Sequence, residues 1–95
     1  MAITFQKRAD GSAQINVAGR FDFKAHREFG EMVKSVKGSK KCVIDFASTT
    51  YLDSSALGMM LLLRDEVQDI QIRNCSPDVR KVLEIANFHR LFEIN

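Results

Sequence analysis

Cys42-Val43-Ile44-Asp45-Phe46 is a short, nearly continuous apolar run, preceded by the polar stop Lys37-Gly38-Ser39-Lys40-Lys41. Such a run suits a strand in the interior of a sheet, covered on both sides. The segments around it alternate in kind. Upstream, Phe29, Met32, Val33 and Val36 recur at i, i+3, i+4 and i+7, which predicts a helix from about Lys24 to Val36 with one apolar stripe. Asp22 stands just before it as a cap. Downstream, a helix is expected to follow Asp53 and to reach roughly Val67, and Ile70-Gln71-Ile72-Arg73 alternates as a strand does. Ser76-Pro77-Asp78 is a helix start, with Ser as cap, Pro in the first turn and an acid at the positive end. Val79, Val82, Leu83 and Ala86 then form a second stripe, and Leu91-Phe92-Glu93-Ile94 can add a short last strand.

At the N-terminal side, Ile3 to Lys7 and Ala13 to Gly19 are strand-like and are separated by a segment containing Asp10-Gly11, a hairpin signal. Ile15 and Val17 alternate with Gln14 and Asn16, so one face is buried, and Gly19 is expected to break the strand. The order is β-β-α-β-α-β-α-β. A hairpin leading into strand–helix alternation predicts an α/β domain with a mixed sheet, parallel in its later part and flanked by amphipathic helices. No linker, repeat or low-complexity segment interrupts it, so one domain fills residues 1–95.

Composition narrows the functional classes. A formal net charge of +2, from 14 basic and 12 acidic residues, gives no basic stripe for nucleic acid or anionic membrane. The longest apolar run, Ala56 to Leu63, is too short to span a bilayer, so no direct membrane insertion is expected. No export signal is visible, and Cys42 and Cys75 lack metal-ligand spacing, which reads as reduced thiols in a cytoplasmic protein. No cofactor or metal is expected. His26 and His89 have no companion nucleophile, and elbow, phosphate-loop and zinc motifs are absent from the sequence. Asp22, Asp45 and Asp53 could converge at strand ends as a ligand site, but separated acids are more often caps and loop ends.

Asp53-Ser54-Ser55-Ala56-Leu57-Gly58 is different. Asp53 or Ser54 can cap the helix, which explains the hydroxyls but not the apolar residues that follow. At 100° per residue, Ala56, Met59, Met60, Leu63 and Val67 face the sheet, whereas Gly58, Leu61 and Leu62 fall on or near the side of Arg64, Asp65, Gln68 and Asp69. An apolar, glycine-notched patch beside an exposed serine is how a protein–protein contact would look. A rotated register, with the leucines in the core, stays open at this point. Phosphate on such a serine would be tolerated at a helix N-terminus while opposing a partner by charge and bulk.

Four segments in order resemble the STAS domain family, especially the stand-alone bacterial anti-sigma factor antagonists. They are Gly19-Arg20-Phe21-Asp22, the strand Val43-Ile44-Asp45-Phe46, Thr50-Tyr51-Leu52 running into Asp53 to Gly58, and Ser76-Pro77-Asp78-Val79. The resemblance extends over essentially the whole chain. It implies a non-enzymatic partner-switching protein. The unmodified form binds an anti-sigma factor that is also a serine-protein kinase, thereby freeing a sigma factor. That kinase phosphorylates the Ser after the Asp, and a PP2C-type phosphatase reverses the step. Carried over, the acceptor is Ser54, with Ser55 as second candidate. The partner-binding set is Asp22, Asp53, Ser54, Ser55, Gly58, Leu61 and Leu62. The output of such modules can be transcription, secretion or motility. The alternative is a non-catalytic STAS subunit of an ABC-type lipid transport complex, although those relatives tend to carry Thr and Gly in place of Asp-Ser-Ser. Three departures stand out: Ala56 for a frequent Gly, Thr49 at a usually apolar position, and no further C-terminal helix after Asn95, which is expected to leave a patch open for another partner or self-association.

Overall fold

The Asp10-Gly11 pair turns the chain between β1 (Ala2–Lys7) and β2 (Ser12–Phe21). Gly11 takes a φ of 87°, and Asp10 Oδ1 accepts from the Ser12 N–H at 2.9 Å and the Ser12 hydroxyl at 2.6 Å. In the computed structural model, which describes residues 2–95, the chain continues as α1 (His26–Val36), β3 (Lys41–Asp45), β4 (Thr49–Leu52), α2 (Ser54–Glu66), β5 (Ile70–Arg73), α3 (Pro77–Ile85) and β6 (Glu93–Ile94). Single 3-10 turns lie at Phe23–Ala25 and Phe88–Arg90. No helix among the described residues is long and apolar enough to cross a membrane.

The sheet runs β1-β2-β3-β5-β6, with β1 antiparallel to β2 and the other pairings parallel. Each helical connection therefore steps in the same direction along the sheet. Right-handed crossovers that all step one way put all their helices on one face. The register agrees. Ile15, Ile44 and Ile72 stand side by side, as do Ala13, Cys42 and Ile70, and these join Phe29, Met60, Leu63 and Leu83 in one buried cluster.

The opposite face is polar. Val43 lies between Gln14 and Gln71, and Gln14 and Asn16 are only half-buried. Gln14 Nε2 donates to Asn16 Oδ1 at 2.9 Å, and Asn16 Nδ2 reaches Thr4 Oγ1 at 3.3 Å. The expected helix cover on both sides of β3 is thus corrected. Val43 is buried by the neighbouring glutamine stems, not by a helix, because the sheet is wound in one direction only.

Three boundaries also differ from the sequence reading. Gly19 does not end β2: at φ 84° it pairs with Thr49, a register shift follows before Arg20, and the pairing with β4 continues to Phe21–Leu52. β4 itself adds a strand to the expected order. The first helix begins as a 3-10 turn, whose N-cap Asp22 accepts the Lys24 N–H at 3.1 Å. The last strand is confined to Glu93–Ile94, with Phe92 buried against Phe88 at 5.3 Å between centroids.

Candidate functional site

β4 ends at Leu52 and α2 begins at Ser54, so Asp53 occupies the junction in extended backbone, at φ −119° and ψ −176°. Its Oδ1 accepts the Ala56 N–H at 3.1 Å and the Ser55 hydroxyl at 2.7 Å. These bonds cap the helix. The Ser55 hydroxyl is the main cause that holds the Asp53 carboxyl below its usual range; desolvation opposes it, and the Ala56 and Ser55 N–H groups and, last, the Arg20 charge add to the lowering. Ser54 takes no part in the cap and is exposed. The two adjacent hydroxyls therefore differ in their surroundings, Ser55 bonded to Asp53 and Ser54 open.

The end of β2 is fastened to this junction. The Asp53 N–H donates to the Phe21 carbonyl at 3.4 Å. Arg20 stands opposite Tyr51 in the β2–β4 register, and its guanidinium lies 4.0 Å over the tyrosine ring. Its Nε is 3.6 Å from Oδ2 of buried Asp22, and the Phe21–Asp53 bond sets Asp53, with Ser54 next in the chain, beside this group. The sequence reading brought Asp22 to this place and missed Arg20 and Tyr51. Their signal was the pair Arg20-Phe21 beside Tyr51-Leu52, with Phe21 and Leu52 buried and Arg20 and Tyr51 outward, while Asp22 is buried and Asp53 half-buried. Seeing it requires knowing that the two segments pair.

Along α2, Ala56, Met59, Met60, Leu63 and, at the C-cap, Val67 are buried, whereas Gly58 is exposed and Leu61 and Leu62 keep 41% and 52% of their surface. The rotated register is ruled out. Leu62 also borders a groove of about 290 Å³ between α1 and α2, floored by Phe29, Gly30, Val33 and Met59. Phe23, in the turn after Asp22, is 67% exposed.

The remaining candidates lie elsewhere. Asp45 is engaged by its own surroundings, accepting from the Ala47 N–H at 2.8 Å and from Asn74 Nδ2 at 2.9 Å, so the three acids form no common site. His26 and His89 are exposed on separate helical turns. Burial pushes the Cys42 thiol up to about 12 and raises that of half-buried Cys75. Among the described residues, no group of three or more His, Cys, Asp or Glu could hold a metal ion. Thr49, the unusual polar residue, is buried and its hydroxyl donates to the Val17 carbonyl at 2.6 Å, which ties β4 to β2.

A family model described as Mlab, STAS domain, matches residues 4–93. The chain belongs to the STAS domain family. A STAS-domain containing protein of Pseudomonas aeruginosa is 50% identical over 101 residues, covering 100% of both chains. Among solved structures, this STAS domain is similar to an anti-sigma factor antagonist from Mycobacterium paratuberculosis, with a TM-score of 0.84 at 17% identity over 98% of this chain and 85% of that one. It is also similar to the anti-sigma factor antagonist SpoIIAA in its unphosphorylated form, with a TM-score of 0.71 at 19% identity over 88% and 83% of the two chains. The phosphorylated form of the Bacillus protein gives 0.69 at 17% identity over 99% and 91%. These likenesses establish the SpoIIAA-like arrangement of sheet and helices.

Proposed function

We propose that this STAS domain is a cytoplasmic anti-sigma factor antagonist that works by partner switching and has no catalytic activity of its own. The observation that carries the reading is the division of labour between the two serines. Ser55 is spent on Asp53 as part of the cap, while Ser54 stands exposed at the head of a helix that displays Gly58, Leu61 and Leu62. The unmodified surface of Asp22, Asp53, Ser54, Ser55, Gly58, Leu61 and Leu62 binds an anti-sigma factor that is also a serine-protein kinase. Phosphorylation of Ser54 ends the association, and a PP2C-type phosphatase restores it. That SpoIIAA exists in both an unphosphorylated and a phosphorylated form supports the scheme.

The physical reason is differential. Phosphate adds about −1.5 to −2 charges and three acceptor oxygens. The positive end of α2 accepts that charge without loss of fold. A partner packed on Leu61 and Gly58 would have to desolvate it. Ser55 is a poorer acceptor, because modifying it breaks the 2.7 Å bond to Asp53 and sets two anions together.

The test uses candidate anti-sigma kinases from the same genome, with ATP and mass-spectrometric site mapping. Wild-type protein is expected to take one phosphate on Ser54 and to lose at least about tenfold in affinity, or ~1.4 kcal/mol. Ser54→Ala should block labelling and keep binding. Undiminished label in that variant moves the site to Ser55, and equal affinity of the two forms overturns the switch. A stable complex with a permease and ATPase in place of a kinase would favour the lipid-transport subunit instead.

A further inference from the structure

We propose that Arg20 is the internal counter-ion of the switch: the guanidinium that receives the phosphate once Ser54 carries one. Resting on the assignment of Ser54 as the modified residue, this adds a residue that acts after modification and outside the motif itself.

Three observations converge on it. Strand pairing sets Arg20 opposite Tyr51, and the Asp53 N–H bonded to the Phe21 carbonyl fixes the end of β2 to the modified turn. The guanidinium is positioned but weakly held. Its contact with Asp22 is 3.6 Å, the side chain is 63% exposed, and its other partner is the face of half-open Tyr51. The charge count then calls for a cation. Asp22 and Asp53 around Arg20 leave a net charge of −1 in this cluster, and phosphate takes it to roughly −3. A guanidinium pairs with phosphate in a two-pronged fashion that neither Asp22 nor Tyr51 offers in this arrangement. Among the described residues Lys24 is a second cation in the neighbourhood, lining a shallow hollow with Arg20, Asp22 and Glu28.

The consequence is that modification alters the surface twice. It places charge at Ser54, and it draws the guanidinium off the Tyr51 ring. A partner reading the Arg20–Tyr51 stack would lose that feature together with the free hydroxyl.

The experiment installs phosphoserine at position 54 during translation of the full chain, so it needs no kinase. Phosphorus NMR follows the second ionisation of the phosphate with pH. Arg20→Gln is expected to raise that pKa by about one unit. Arg20→Lys, which keeps the charge, should raise it less, and Lys24→Gln should barely move it. Tyr51 is the sole tyrosine and the chain has no tryptophan, so intrinsic emission reports this ring. Its emission should change on phosphorylation in the wild type and not in Arg20→Gln. An unchanged phosphate pKa in Arg20→Gln, or a larger shift in Lys24→Gln, would overturn the assignment of Arg20. Kinase labelling of Ser54 is a separate measurement, so either result can fail while the other stands.

Discussion

Asp53 serves two purposes at once, closing the first turn of α2 and fixing which neighbouring hydroxyl is free. Removing the carboxylate with Asp53→Ala should cost about 1 kcal/mol of stability, the usual loss for a helix cap, measured by urea unfolding. Ser55→Ala should act more narrowly, letting the Asp53 carboxyl titrate closer to its ordinary value because the main cause of its acidity is gone. The sign follows from linkage. A carboxyl depressed in the folded state contributes stability above its unfolded pKa of about 3.9, and that contribution is lost as pH falls through the folded value. Ser55→Ala should therefore shrink the acid-limb loss, with the carboxyl followed directly by NMR; an unmoved Asp53 titration would refute the assignment. The cap was legible in the sequence because a capping bond spans three residues. The choice between the serines was not, since it depends on which hydroxyl turns toward the carboxylate. Arg20, Tyr51 and Thr49 were still further from view. Their partners lie across strand pairings between distant segments, and the Thr49 hydroxyl finds its acceptor only at Val17.

The element proposed to carry the contact, α2, is apolar on more than its core side, and two neighbouring residues separate the roles. Met60 is fully buried, so Met60→Ala should cost about 2–5 kcal/mol through lost burial and a residual cavity. Leu61 is 41% exposed, so Leu61→Ala should stay within about 0.5 kcal/mol of the wild type while weakening kinase binding. Chemical denaturation and calorimetric titration on the same pair check both statements; a large stability loss at Leu61 would return that residue to the core. The helix faces were readable from sequence because 100° per residue is a local rule and Arg64, Asp65, Gln68 and Asp69 mark the wet side. β4 was not separated out for the opposite reason. It has four residues, with only its ends buried, and it pairs with the end of β2 from Gly19 onward, across a register shift. Gly19 looked like a terminator because glycine weakens strands, yet its positive φ serves a bend that lets one strand serve two partners in succession.

At the scale of the molecule, winding in one direction leaves a helix-covered face and a polar face, and the two should respond differently to truncation. Ile44→Ala on the covered face should cost about 2–5 kcal/mol. Val43→Ala on the other should cost about 1–1.5 kcal/mol, two buried methyl groups with glutamine stems free to close the gap. Comparable losses would mean that the polar face is also packed. The same asymmetry predicts how phosphorylation propagates. Ser54 is exposed at the end of α2, outside the buried cluster, so phosphate displaces no core side chain. Its favourable interaction with the helix end, about 0.3–1 kcal/mol, is opposed by repulsion from Asp53. The net effect on folding should stay below about 1 kcal/mol, which for a domain of this size keeps the Tm within about 4–8 °C of the unmodified protein. Scanning calorimetry of the two forms, alongside titration with the kinase, separates the cases. A preserved Tm with lost association is the expected result, since the charge then acts only at the surface a partner must desolvate. A Tm lowered well beyond that range would mean that phosphate reaches the core through α2, and that the switch works by unfolding and not by blocking contact.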